Sequence, residues 1–171
     1  AMQSADRNPA FRNSDVRRRF DRAAADFDSF DFVHTVTRDG LLARLEPMVV
    51  DASTVVDLGA ASGAALKPLA KRFRGAHVIA LDVSMHMLRR AHGRRSWFSK
   101  HSLLQADATA IPLRDQSIDV VFCNQLLPWV TDASAVFSEV GRVLRENGLF
   151  LFATLGPDSF SEMRDAWQSV D

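Results

Sequence analysis

The sequence predicts an α/β fold in which a doubly wound, mainly parallel sheet has helices on both faces. Two observations lead to this prediction. Short apolar runs, typical of buried strands, alternate along the 171 residues with stretches of helical periodicity. The first run, at residues 55–58, also leads straight into a turn of small residues that opens a helix. Such alternation indicates parallel strands joined by right-handed crossovers.

Two helices are predicted ahead of the first strand. Apolar residues recur at helical spacing from Val16 to Phe27, and a second amphipathic stretch runs from about Val33 to Leu45. The proline in Glu46-Pro47 should end this second helix. We therefore divide a single domain, residues 1–171, into an N-terminal helical segment, 1–48, and a core, 51–171.

The core then alternates strands with helices. Strands are predicted at 54–58, 77–82, 102–106, 119–123 and 149–154. Among the helices, one opens at Ser84, one opens near Asp132 and buries Phe137, and the last begins at Ser159. Because the chain stops within this last helix, we expect a C-terminally incomplete core with an uncovered sheet edge. A second copy of the chain could pair there and give a homodimer.

Composition excludes several classes of function. Lys and Arg total 21, as do Asp and Glu, so the formal net charge is zero. This balance argues against nucleic acid or an anionic membrane as a partner. No apolar run approaches the roughly 20 residues of a membrane span, and no signal peptide is predicted. The lone cysteine, Cys123, lies in an apolar strand and is expected to be buried, which fits a cytoplasmic location. The scattered histidines predict no metal site.

The turn after the first strand carries the main functional signal. The sequence there runs Asp57-Leu58-Gly59-Ala60-Ala61-Ser62-Gly63, and a second strand ends in Asp82, nineteen residues after Gly63. In such a sheet, glycines at this turn admit a ligand close to the backbone. An acid at the end of the second strand accepts hydrogen bonds from ribose hydroxyls. The pattern therefore predicts a site for an adenosine-containing cofactor.

The spacing of the turn distinguishes between two such cofactors. A dinucleotide site usually has Gly-x-Gly-x-x-Gly, with pyrophosphate at the helix N-terminus, whereas Gly59 to Gly63 is one residue too short. Asp57 would also repel pyrophosphate, but it suits a cationic aminoacyl group. The turn therefore favours S-adenosylmethionine, which carries an ammonium and a sulfonium, over NAD.

Further candidates follow the other strands. Asp107 could accept a hydrogen bond from the adenine amino group, with the Ala108 amide on a ring nitrogen, or Asp107 could simply cap a turn. Asn124 follows the fourth strand and could lie at the sulfonium end. Trp129 could form a wall of the substrate pocket or serve only in packing.

At these residues the chain resembles the class I S-adenosylmethionine-dependent methyltransferases, especially the type 11 group with its Rossmann-like sheet. The resemblance rests on Asp57 to Gly63, Asp82 and residues 107–113, 117–121 and 140–144. Residues 20–28 and 154–167 resemble a narrower family, the malonyl-acyl-carrier-protein O-methyltransferases of biotin synthesis. Against this family the chain has Ala61 in place of a glycine and Phe27 in place of a tyrosine, and it lacks the last strand pair.

The resemblance implies a set of site residues. Asp57 is assigned to the methionine end of the cofactor, Asp82 to the ribose, Asp107 to the adenine and Arg22 to the cofactor carboxylate. Phe27 and Trp129 are assigned to the substrate. The remaining expected cofactor contacts are Gly59, Ala61, Gly63, Val83, Ala108 and Asn124.

The resemblance also implies the reaction. The methyl group would pass from S-adenosylmethionine to a small molecule or to the malonyl carboxylate on acyl carrier protein. A carboxylate is already ionised at neutral pH, so no general base is required and we assign no catalytic residue. Two alternatives stay open: a non-catalytic relative that acts through a protein partner in assembly, and an NAD-dependent oxidoreductase.

Overall fold

The computed structural model describes residues 12–94, 100–156 and 159. Two helices, α1 (Asn13–Ala23) and α2 (Phe32–Leu45), precede the sheet. The remaining elements alternate and are listed in chain order: β1 (Thr54–Leu58), α3 (Leu66–Arg72), β2 (His77–Asp82), α4 (Met85–Gly93), β3 (His101–Gln105), β4 (Ile118–Asn124), α5 (Ala133–Val143) and β5 (Leu144–Ala153). Single 3₁₀ turns lie at Phe27–Ser29 and Leu127–Trp129.

The five strands form one parallel sheet in the order β3-β2-β1-β4-β5. Although the strands are parallel, their order reverses between β1 and β4. β2 and β3 are added on one side of β1, whereas β4 and β5 are added on its other side. All five carboxyl ends lie at the same edge. Ligands of open α/β sheets bind outside that edge, at the point of reversal. The fold therefore predicts a site beside the ends of β1 and β4.

The core lies on both faces of the sheet. Successive residues of β1 alternate between them: Val55 packs in a cluster with Leu45 and Leu69, whereas Val56 packs in a second cluster with Val136. Each of these five side chains is essentially buried. A strand covered on both faces reads as a continuous apolar run, which is why the sequence pattern identified β1 correctly.

The structure agrees closely with the predicted strands except at β5. The sequence predicts its start at residue 149, but Leu144 already pairs with Ile118. The register then shifts, because the backbone turns at Asn147 (φ +65°) before Leu149 resumes pairing with Val120. The early segment was missed because its residues are mostly polar and exposed.

The prediction that Phe137 is buried is wrong. Its side chain is 43% exposed and contacts the rings of Phe150 and Phe152, with centroids 5.8 and 5.5 Å away. These aromatic residues lie where β5 has one neighbour, β4, among the described residues. The final helix predicted from Ser159 onward falls outside the described residues.

The two N-terminal helices pack directly against elements of the core. α1 contacts α4, and α2 contacts β4 and β5. Within residues 12–94, 100–156 and 159, no helix combines the length and the apolar character needed to cross a membrane.

Gly63 is where the β1–α3 turn approaches α4 most closely. Its φ is +78°, and an added Cβ would lie 2.6 Å from Cβ and 2.9 Å from Cα of Ala91. Gly63→Ala should therefore lower the free energy of unfolding by about 2 to 4 kcal/mol, from left-handed strain plus overpacking. Urea unfolding measures this change.

Gly93→Ala is the matched control. Gly93 ends α4 with a negative φ and nothing within 4 Å of an added Cβ. This variant should be as stable as the parent protein or slightly more so. Equal stability of the two variants would contradict the close packing of the turn against α4.

Candidate active site

The turn between β1 and α3 is shaped by three residues with left-handed backbone: Gly59 (φ +76°), Ala61 (φ +45°) and Gly63 (φ +78°). The amides of Gly59 and Ala60 donate to the carbonyl of Leu81, at 2.8 and 3.0 Å. The turn is thereby bent over the end of β2. Glycine adopts such φ values freely, whereas alanine pays roughly 1 kcal/mol, so Ala61 is a strained position.

The Asp82 carboxylate holds two loops together. One oxygen accepts a hydrogen bond from the Ala61 amide and the other from the Ser84 amide, each at 2.8 Å. Ser84 in turn caps α4, its hydroxyl accepting from the Met87 amide. Burial raises the pKa of Asp82, while the bonds from Ser84 and Ala61 act in the opposite direction. Asp82 therefore fixes the turn after β1 relative to the start of α4.

Asp57 is a buried acid that has no hydrogen-bond partner in the part of the chain that the structure describes. Its side chain is 3% exposed, and its Oδ2 has no partner among the described residues. Burial, and next the charge of Asp82, raise the pKa of Asp57 to about 7, although the positive charge of Arg38 opposes them. A buried carboxylate is costly unless a cation or donor meets it. The geometry therefore leaves a place for a positively charged ligand group.

A cleft of about 670 Å³ opens at the carboxyl edge of the sheet. Its wall includes nine of the sequence-predicted site residues: Phe27, Gly59, Ala61, Asp82, Val83, Asp107, Ala108, Asn124 and Trp129. A second cavity of about 370 Å³ adjoins it and is lined by Asp57. The two cavities share Phe27, His34, Gly59, Ala61 and Asn124. The structure thus brings ten of the twelve predicted residues together.

The other two predicted residues lie elsewhere. Gly63, in the last part of the turn, lies against Ala91 and does not line either cavity. Arg22 is exposed on α1 and lines a separate surface depression with Arg18 and Arg19. The structure therefore separates Arg22 from the cleft that contains the other predicted cofactor contacts.

Asp107 caps a turn, as one of the two sequence-based alternatives predicts, and it also faces the cleft. Its Oδ1 accepts from the amide and the hydroxyl of Thr109, at 2.9 and 2.8 Å, so it caps the turn after β3. Its Oδ2 accepts from the side chain of Asn13, at the start of α1. Asp107 also lines the cleft. Its assignment to adenine stays a prediction.

Aromatic rings close the outer side of the cleft. Trp129 meets Phe20 edge-to-face with centroids 5.1 Å apart, and Phe27 contacts both Phe20 (6.2 Å) and His34 (5.2 Å). Asn124 donates from Nδ2 to the His34 carbonyl at 2.8 Å, while its buried Oδ1 has no partner among the described residues. Asn124 lines the same cavity as Asp57, so its amide oxygen adds a second acceptor for a ligand donor.

Asp28 anchors the N-terminal helices over this site. It accepts from the Ser62 hydroxyl at 2.5 Å and forms ion pairs with Arg90 and Arg94, both at 2.7 Å. Although partial burial acts the other way, these bonds lower the pKa of Asp28 to about 2. The segment between α1 and α2 is thus tied both to the β1–α3 turn and to α4.

Sequence analysis missed several polar residues at or beside the site, among them Asn13, Asp28, His34 and Arg38. A usable signal existed for two of them, since Asp31, His34 and Arg38 recur at helical spacing and share one face of α2. The sequence analysis overlooked these polar residues because it assigned the helix from its apolar residues alone.

The site offers binding groups rather than an activated nucleophile. Cys123 is fully buried as predicted, and burial, with the nearby charge of Asp57, raises its pKa to about 12. Burial lowers the pKa of His34, which favours its neutral form. No group of three or more potential metal ligands occurs within the described ranges. The arrangement suits a ligand with hydroxyls near Asp82 and a cationic group near Asp57.

Comparison of the sequence with protein families identifies the family of this chain. Residues 56–152, more than half of the chain, match the family model described as a methyltransferase domain. The chain therefore belongs to the methyltransferase domain family, and the resemblance seen in the sequence is confirmed.

The chain is similar to the malonyl-[acyl-carrier protein] O-methyltransferases of two bacteria. It is 39% identical over 155 residues to that of Halorhodospira halophila, covering 91% of this chain and 52% of the relative. It is 36% identical over 165 residues to that of Xylella fastidiosa, covering 96% and 56%. The chain thus spans about half the length of the curated relatives that it matches.

Solved structures confirm the predicted fold class. A methyltransferase of Haloferax volcanii, solved with its Trm112 activator, superposes with a TM-score of 0.68 at 26% identity, covering 88% of this chain and 74% of that one. Haemonchus contortus phosphoethanolamine N-methyltransferase 1, solved with phosphoethanolamine and S-adenosylhomocysteine, gives a TM-score of 0.70 at 20% identity, covering 83% and 32%. The second likeness concerns the fold alone.

The raised pKa of Asp57 predicts a specific dependence of stability on pH. A carboxyl group whose pKa is higher in the folded state than in the unfolded state destabilises the fold as it ionises. The parent protein should therefore lose stability relative to Asp57→Asn as pH rises from about 4 to 7, by on the order of 3 to 4 kcal/mol. Urea unfolding of both proteins between pH 4 and pH 8 measures the difference. Parallel pH profiles would contradict the raised pKa.

Proposed function

We propose that the chain binds S-adenosylmethionine in the cleft and transfers its methyl group to an acceptor. The observation that supports this most directly is the pair of acids at the carboxyl edge of the sheet: Asp57, which is buried and has no hydrogen-bond partner among the described residues, and Asp82, whose charge acts on it. In this proposal, Asp57 meets a cationic group of the ligand and Asp82 meets its hydroxyl groups. The ligand lies along the Gly59–Ala61 backbone. Family membership and the relatives' names support the same function.

The residues present fit this cofactor. Asp82 and Val83 would bind the ribose, Asp107 and the Ala108 amide the adenine, and Asn124 would lie at the sulfonium end. When bound, the cofactor supplies an electrophilic methyl group. The protein's own contribution is to orient the acceptor, to exclude water with the aromatic wall of Phe27 and Trp129, and to hold Asp57 against the ammonium group.

The acceptor we propose is a carboxylate, namely that of malonyl-acyl carrier protein in biotin synthesis. The relatives of H. halophila and X. fastidiosa carry that name. An ionised carboxylate attacks the methyl group without prior loss of a proton, so alignment is sufficient. A cytoplasmic location and a single domain of 1–171, with 51–171 as cofactor-binding core, complete the proposal.

The non-catalytic alternative receives less support. It was suggested by Ala61 and Phe27, which depart from the family pattern. In the structure, Ala61 adopts the turn with φ +45°, and both residues line the cleft. The relatives of H. halophila and X. fastidiosa are named as enzymes, and the match to a methyltransferase domain gives no support to an NAD-dependent oxidoreductase.

Asp82→Asn should weaken binding of S-adenosylhomocysteine by about 10- to 100-fold, since bonds to a charged acceptor contribute about 1.5 to 3 kcal/mol. Isothermal titration calorimetry measures the affinity. Asp119→Asn is the matched control, because Asp119 also accepts two backbone amides, from Ser53 and Thr54, but lines neither cavity. An equal loss of affinity in both variants would contradict the ribose assignment. Absence of binding to the parent protein would overturn the proposed function.

The acceptor is tested with radiolabelled S-adenosylmethionine and carrier proteins of defined acyl group. Malonyl-acyl carrier protein should become labelled, whereas acetyl-acyl carrier protein, which has no free carboxylate, should not. Cofactor binding without transfer to the malonyl form would favour the non-catalytic alternative. Equal labelling of both forms would show that the carboxylate is not the acceptor.

A further inference from the structure

The smaller cavity contains a cationic side chain to which the predicted site assigned no role. Arg38 lies on α2 and lines this cavity together with Asp57, whose pKa its positive charge lowers. Its side chain is 16% exposed. Among the described residues that line the two cavities, Arg38 is the one lysine or arginine.

Arg38 is weakly engaged within the protein. Its Nε donates to Asp39 at 3.0 Å, and the Asp39 side chain is 63% exposed. An ion pair with such an exposed partner stabilises little. No hydrogen bond joins the two terminal nitrogens of Arg38 to another residue in the described part of the chain. The guanidinium is thus held at the cavity with its paired N–H groups available.

We propose that Arg38 and Asp57 together bind the amino-acid head group of the cofactor, Arg38 taking the α-carboxylate and Asp57 the α-ammonium. This inference rests on the proposed function and adds to it the residue that recognises the carboxylate.

The chemistry of the head group matches the arrangement. An α-amino acid carries its two opposite charges on substituents of a single carbon, so it requires an acid and a base that face the same small cavity. A guanidinium binds a carboxylate through two parallel hydrogen bonds, which gives direction as well as charge. The Oδ2 of Asp57 is buried without a partner in the described structure, as expected for an atom that meets the ammonium group.

The other ionisable groups around Asp57 do not provide a partner for the α-carboxylate. Asp82 carries the same charge as Asp57 and already accepts hydrogen bonds from two backbone amides. Asp31 and His34 line the same cavity, but Asp31 is an acid and burial favours the neutral form of His34. Arg22, the sequence-based candidate for the carboxylate, lines a separate depression. Arg38 is therefore the residue best placed for the carboxylate.

Two ligands separate this role from a general effect on the fold. S-adenosylhomocysteine contains the amino-acid head group, whereas 5′-methylthioadenosine retains the adenosine and the thioether without it. By calorimetry, Arg38→Ala should weaken S-adenosylhomocysteine binding by about 10- to 100-fold and leave 5′-methylthioadenosine binding unchanged. Arg38→Lys, which retains charge without the bidentate geometry, should lie between.

Arg44→Ala is the control, because Arg44 lies on the same helix and donates to its own helical carbonyl at Gly40, away from both cavities. It should bind both ligands as the parent protein does. Unchanged S-adenosylhomocysteine affinity in Arg38→Ala would overturn the inference, as would an equal loss for both ligands. If the parent protein binds neither ligand, the proposed function itself fails; if it binds both and Arg38→Ala has no selective effect, only the role of Arg38 fails.

Discussion

The site depends above all on the two hydrogen bonds that the Asp82 carboxylate accepts from backbone amides. They join Ala61 of the turn after β1 to Ser84, the N-cap of α4, although these two residues are more than twenty positions apart in the chain. Because the acid is buried, both bonds are shielded from competing water, and loss of the bond from Ser84 would leave a buried amide unsatisfied. Together with the Leu81 carbonyl, which accepts from the Gly59 and Ala60 amides, this side chain sets the position of the Gly59–Ala61 backbone that lines the cleft.

The buried carboxylate of Asp82 also makes it harder for the neighbouring Asp57 to ionise. Asp57 lies on the adjacent strand, and burial together with the charge of Asp82 raises its pKa to about 7. Arg38, on a helix from the N-terminal segment, offsets part of this effect. The helical segment is in turn fixed by Asp28, through Ser62 of the turn and two arginines around the end of α4. The N-terminal helices therefore complete the site's charge balance as well as covering it.

Much of the fold could be predicted because its signals are local. The runs at 54–58 and 77–82 are apolar, buried on both faces and bounded by turns, so β1 and β2 were placed to the residue. Their terminal acids and the following turn predicted the cofactor residues of the core. By contrast, β5 begins in polar residues whose pairing with β4 no local pattern reveals. Phe137 appeared buried by its helical position, but whether a face is covered depends on what lies beside it.

The N-terminal contribution could not be predicted because it depends on contacts between distant parts of the chain. Asp28 meets Ser62, and Asn124 meets the backbone of His34, across separations of 34 and 90 residues. Sequence alone assigned the carboxylate to Arg22 by resemblance, whereas the packing of α2 over the sheet edge brings Arg38 to the cavity instead. Helical spacing shows which residues share a face, but tertiary packing decides which face meets the site.

Ala61 stands where the resembled family has a glycine, and the hydrogen bond from its amide to Asp82 explains how the turn tolerates it. An alanine at φ +45° costs roughly 1 kcal/mol, and such a conformation persists where surrounding contacts over-determine it. Here the Ala61 amide is held by Asp82, and the neighbouring amides of Gly59 and Ala60 are held by the Leu81 carbonyl. Three consecutive amides are thus fixed by the end of β2, so the turn keeps its shape with a methyl group at its centre. The loss of glycine there is compatible with an open cleft because the end of β2, rather than the residue's own preference, sets the backbone.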